Sequence, residues 1–182
     1  TAAGPGIGYL VYASCVLGTI LFAASSFQQV GLLYTTASNA GFITGMYMVF
    51  VPIFGLMLGM ATGLVTWLGC IVAAIGLFML GVNAQYRMGY GDLLQLAGAG
   101  IWALHILAID HFTKHAPGVQ LACGQFVVCA ALGILVSAGF AGETTTWPQL
   151  VAAGATLIYA GIITVGVAYT LQIVAQAKAN PV

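Results

Sequence analysis

Chemistry-bearing side chains are scarce in this chain, and they gather between Gly91 and Ala116, GDLLQLAGAGIWALHILAIDHFTKHA. That stretch carries three of the six charged residues and all three histidines. On a 3.6-residue period, Gln95, Gly98, Trp102, His105 and Ile109 fall within roughly 80° of one another. Ala97, Leu104, Leu107 and Ala108 take the opposite side. One helix face thus offers an amide, a gap, an indole and an imidazole. A polar group at bilayer depth is costly and normally faces a bundle interior or a wet cavity. Two roles are open to His105: a solute-binding or proton-exchanging imidazole, or a neutral histidine bonded to a neighbouring helix. Trp102, one turn away, can stack on a ligand or pack against a helix.

His111 and His115 stand four residues apart, with Asp110 and Lys114 beside them. A zinc centre needs converging ligands with outer-shell support. These two histidines lie where the helix runs into a loop, so a solvated helix end without metal is expected. Asp110 is expected to pair with Lys114 one turn on, worth about a few tenths of a kcal/mol. Gln29, Tyr47, Gln125, Tyr159 and Gln172 are uncharged polar groups inside apolar runs, and each can line a cavity or bridge helices. Candidates for substrate binding are His105, Trp102, Gln95, Gln29, Tyr47, Gln125 and Tyr159. Asp92 and Glu143 read as loop residues, so no paired carboxylates and no Ser/His/Asp set remain. No catalytic residue, metal or cofactor is expected. Cys15, Cys70, Cys123 and Cys129 lie in apolar runs without CxxC or zinc spacing, and read as small fillers at helix contacts.

Such residues need elements to hold them, and composition says which kind. Of 182 residues, 62% are hydrophobic and 3% charged, against about 25% charged in a soluble domain. Mean hydropathy is +1.09. A chain so poor in charge cannot cover a water-facing surface, and an all-α, multi-pass membrane protein is expected. Zero net charge leaves no basic patch for nucleic acid. Six apolar runs approach the ~20 residues that a crossing needs. They are Ile7–Leu33, Gly41–Gly59 with Pro52 inside it, Leu64–Val82, the stretch described above, Pro117–Phe140 and Gln149–Gln176. In the first turn, Tyr34–Asn39, either Ser38 or Asn39 is expected to cap the second span. Alternating loops place Lys114 and Lys178 on one side, and Arg87, Asp92 and Glu143 on the other. The two-lysine side is expected to be cytoplasmic.

Sliding the chain by 143 residues sets Gly18 on Gly161, Ile20 on Ile163, Gln29 on Gln172 and Val30 on Ile173. This carries the first span onto the sixth, five crossings later, so the second copy would be upside down. Inverted repeats of this kind build secondary transporters. The residues themselves add more. Gln28–Gly45, QQVGLLYTTASNAGFITG, followed by Val51-Pro52, resembles the third and fourth helices of the EamA domain. Thr66-Trp-Leu-Gly69 with Gly76-Leu77 resembles its fifth. Gly91-Asp-Leu-Leu94 with Trp102-Ala-Leu-His105, and Gly124-Gln-Phe126, resemble helices six and seven. Over essentially its whole length, the chain looks like helices three to eight of an EamA-domain transporter of the drug/metabolite transporter superfamily. Members have ten helices in two inverted five-helix repeats around a central substrate cavity. The resemblance therefore implies two further helices at each end. It makes 1–82 the last three helices of the first repeat, 83–91 the inter-repeat loop, and 92–182 the first three helices of the second. One departure is local: after Leu58-Gly59, members commonly carry a charged residue, and here Met60-Ala-Thr62 is neutral.

The expected function is transport of a small organic metabolite, an amino-acid-like solute or a drug. The resemblance implies efflux by alternating access in a multi-pass protein of the bacterial inner (plasma) membrane. Its partners would be that small-molecule substrate and the lipid bilayer. Sparse embedded charge argues against a strongly ionic substrate. Two alternatives stand beside transport: an intramembrane enzyme with His105 as general base, and a structural six-helix membrane protein acting as a homodimer.

Overall fold

Apolar runs of this length find no water for their backbone groups in hydrocarbon, and a helix is the element that satisfies them internally. The computed structural model, which describes residues 6–81, 88–139 and 146–178, follows that rule: among the described residues every regular element is helical. α1 runs Ile7–Leu32, α2 Ala37–Gly45, α3 Tyr47–Met57, α4 Leu64–Gly81, α5 Tyr90–Thr113 and α6 Gly118–Gly139. The last span is built from α7 (Trp147–Ala152), α8 (Gly154–Tyr159), a π-helical stretch (Ala160–Tyr169) and α9 (Thr170–Gln176). Five stretches are long and apolar enough to cross a membrane: Ile7–Leu32, Ala37–Met57, Tyr90–Thr113, Gly118–Gly139 and Gly154–Gln176. The described apolar part of α4, Leu64–Gly76, is shorter. Of the expected inter-repeat loop, 83–91, residues 83–87 lie outside the described residues.

Local sequence explains the breaks. α2 is capped by Thr36, not by Ser38 or Asn39. Thr36 is extended (φ −79°, ψ 153°), and its hydroxyl accepts from the Asn39 amide at 3.2 Å. The second span is interrupted at Met46 rather than at Pro52. The Met46 amide turns back to the Ile43 carbonyl at 3.1 Å, and α3 restarts with the Val49 amide on the Met46 carbonyl at 2.9 Å. In the sixth span the π turn suits its glycines, which stand five residues apart. A Cβ on Gly166 would lie 3.3 Å from the Gly161 carbonyl oxygen.

Pro52 leaves its mark on the neighbouring helix. It has no N–H to give to the carbonyl of Met48 four residues back. That carbonyl instead accepts the Cys70 thiol of α4 at 3.4 Å. Cys70 is therefore more than a small filler. Substituting Cys70 by valine is expected to cost about 0.5–1.5 kcal/mol in a reversible unfolding titration in mixed micelles. Serine, which keeps a donor, should recover part of that loss. Equal stability of all three proteins would remove the thiol from the account.

Two compact units divide the chain, one built on α1 as far as Thr19 and the chain from His111 onward, the other on Ile20 to Asp110. In the first, α1 and α6 touch through small residues. A Cβ on Gly124 would overlap the Ser14 side chain, and one on Gly18 would fall 2.8 Å from the Gln125 carbonyl oxygen. Small residues at such spacings let helices approach where lipid offers no hydrophobic drive. Ile173 of α9 packs on Gly118 at the start of α6. In the second unit, Val51 of α3 with Ala103 and Leu107 of α5 form a buried cluster, joined by Tyr47, Phe50, Phe54, Met60 and Ile106.

Candidate functional site

α5 is the most deeply buried of the membrane-length helices. All five residues of the polar face expected on it, Gln95, Gly98, Trp102, His105 and Ile109, are buried. On the far side only a narrow stripe is exposed: Tyr90, Leu93, Ala97, Leu104 and His111, within roughly 60° on a helical wheel. Leu107, expected on that side, is instead buried in the cluster with Val51 and Ala103. The cause is the flanking aromatic wall of α3, which no helical wheel of α5 can show.

At the middle of α5, Trp102 and His105 meet edge to face, with ring centroids 5.7 Å apart and planes at 80°. They are 8% and 1% exposed. Gln95, two turns nearer the N-terminus, is fully buried and engaged on both sides. Its Nε2 donates to the Gln28 carbonyl oxygen of α1 at 2.8 Å, and its Oε1 accepts the Thr44 hydroxyl of α2 at 3.1 Å. One amide therefore ties α1, α2 and α5 together within the second unit.

The remaining candidates are dispersed. Gln29 is exposed on α1. Tyr47 is half-buried and belongs to the aromatic rim of the α3–α5 cluster. In the first unit, Gln125 is fully buried on α6, Gln172 is half-buried on α9, and Tyr159 is 63% exposed at the end of α8. Only Trp102 and His105 are brought into direct ring contact. His111 and His115 are exposed, with ring centroids 5.8 Å apart. Among the described residues, no group of three or more His, Cys, Asp or Glu side chains is placed to hold a metal ion.

Asp92 corrects the reading of the sequence. It is no loop residue but lies in the first turn of α5, 3% exposed. Its Oδ1 accepts the Thr35 hydroxyl at 2.5 Å and its Oδ2 the Gly89 amide at 2.8 Å. A carboxylate there meets the positive end of the helix and satisfies backbone donors. The signal was present: Gly89-Tyr-Gly-Asp92 ahead of an apolar periodic run has the pattern of a helix start. A second buried carboxylate, Asp110, stands near the other end of α5.

Comparison with known proteins bears on what such a helix is for. The chain is 30% identical, over a 145-residue alignment, to a protein of Archaeoglobus fulgidus named an uncharacterized transporter. The similarity is to a transporter. It takes in 71% of this chain and 43% of the relative, so the chain spans less than half of the curated protein that it matches. No family model matches the chain. No solved structure matches it either.

Proposed function

We propose that this chain is part of a multi-pass transporter of the EamA type, with residues 83–91 between two inverted repeats. It moves a small, uncharged or zwitterionic organic solute, and we assign it to efflux by alternating access. The observation that carries the reading is the Trp102–His105 pair, buried in ring contact at mid-span of α5. An indole offers a face for stacking, and an imidazole offers one donor and one acceptor within the membrane. Ionisable groups at that depth usually mark a substrate or ion path. Similarity to a protein named a transporter supports the class. The engagement of Gln95 with Gln28 and Thr44 gives it a second duty, fixing how α5 is turned about its axis.

Counterflow in proteoliposomes tests the proposal. Vesicles loaded with a mixture of unlabelled amino acids should accumulate the matching labelled amino acid transiently, and protein-free vesicles should not. Absence of saturable counterflow across a panel of amino acids and small heterocycles would sink the reading.

A further inference from the structure

The transport reading leaves unused the pair of imidazoles where α5 ends. A helix leaves its last four carbonyls without amide partners. Regular α geometry would send the His115 amide to the carbonyl of His111, four residues back. Here it turns instead to the Phe112 carbonyl at 3.1 Å, where the Ala116 amide joins it at 3.0 Å. The His111 carbonyl is met by the His115 side chain, whose Nδ1 lies 3.3 Å away. A carbonyl oxygen only accepts, so Nδ1 carries the proton. The lone pair of the neutral ring then sits on Nε2. Neighbouring rings hold both imidazoles. Tyr9 of α1 meets His115 at 6.1 Å and 60°, and Phe112 meets His111 at 5.2 Å and 82°. Tyr9, His111, Phe112 and His115 all belong to the first unit.

Spacing alone does not make such a pair a metal site, and the bond at Nδ1 is what the structure adds. A ligating histidine characteristically gives its other ring N–H to a carbonyl or carboxylate, which fixes tautomer and ring orientation. The two ring centroids stand 5.8 Å apart, with planes at 46°. Imidazoles sharing one zinc, each about 2.0–2.1 Å from nitrogen to metal, place their centroids about 5–6 Å apart. The negative end of the helix dipole lies beside them and favours a cation. We infer that His111 and His115 form a two-histidine site for a divalent transition-metal ion. Both side chains are exposed, so the remaining coordination positions are open to water. Imidazole suits copper, nickel and zinc, whereas magnesium and calcium take oxygen donors. Lys114 already has a partner and takes no part. The site is independent of the solute path proposed on α5.

Isothermal titration of Cu2+ and of Zn2+ into the micelle-solubilised chain, prepared without a polyhistidine tag, tests the site. Wild type should take one ion per chain, Cu2+ more tightly than Zn2+, and no Mg2+. His111→Ala and His115→Ala should each weaken binding at least about tenfold. The double variant should abolish it, with helix content unchanged by circular dichroism. Electron paramagnetic resonance of the Cu2+ form should report two imidazole nitrogens in wild type and one in either single variant. Failure of wild type to bind Cu2+, or single variants that bind as tightly as wild type, would overturn the inference. Binding that survives in the double variant would overturn it too, and would pass the metal to the exposed thiols of Cys15 and Cys123.

Discussion

Alanine at Gly91 is expected to destabilise the protein by about 3 kcal/mol, at the upper end of overpacking penalties, or to prevent its folding. A Cβ there would stand 2.6 Å from the Tyr34 carbonyl carbon, 2.8 Å from the Gly31 carbonyl oxygen and 2.9 Å from the Thr35 amide nitrogen. All three are backbone atoms, so no side-chain rotation relieves the overlap. The end of α1 would have to move away from α5. That movement strains the Thr35–Asp92 bond and the Gln95 amide on the Gln28 carbonyl. Gly69→Ala is the control, because nothing lies within 4 Å of a Cβ added there. In α4 that change should be neutral or slightly favourable, since alanine is the better helix former by about 1 kcal/mol. Reversible unfolding in mixed micelles, with the two variants side by side, makes the comparison. Similar stability for both would mean that α1 and α5 do not approach as described.

His105 should give the largest functional effect. His105→Ala is expected to lower counterflow at least about tenfold, a loss of about 1.4 kcal/mol in the rate-determining interaction. Trp102→Ala should do likewise through loss of the stacking face. Each truncation also empties space in a buried helix, so thermal stability must be measured alongside flux. His105→Gln separates two modes of action. Glutamine keeps a neutral donor and acceptor, and it rescues flux if the imidazole only binds the solute. It fails as fully as alanine if the imidazole must take up and release a proton. Wild-type counterflow in both alanine variants would remove this face of α5 from the pathway.

Much of this protein was legible without coordinates. Sparse charge and runs of some twenty apolar residues dictate membrane helices, because a backbone in hydrocarbon has no other way to satisfy itself. The 3.6-residue period alone placed Gln95, Gly98, Trp102, His105 and Ile109 together, and all five are buried. Composition could not show which partners those residues meet. Gln95 reads as a cavity group until Gln28 and Thr44, 67 and 51 residues away in sequence, are seen to occupy its amide. Asp92 reads as a loop residue until Thr35, 57 residues distant, is found on its carboxylate. Cys70 reads as filler until the carbonyl that Pro52 cannot serve is placed beside it.

The division has a physical cause. Solvent preference and helical period act residue by residue along the chain, so the sequence by itself determined an all-α membrane protein and the buried face of its fifth helix. Hydrogen-bond partners and close glycine contacts depend on which helices pack and how each is turned. Tertiary structure alone decided that Gly91 must be bare, that Asp92 is buried, and that Trp102 and His105 touch each other while Gln29 and Tyr159 lie exposed.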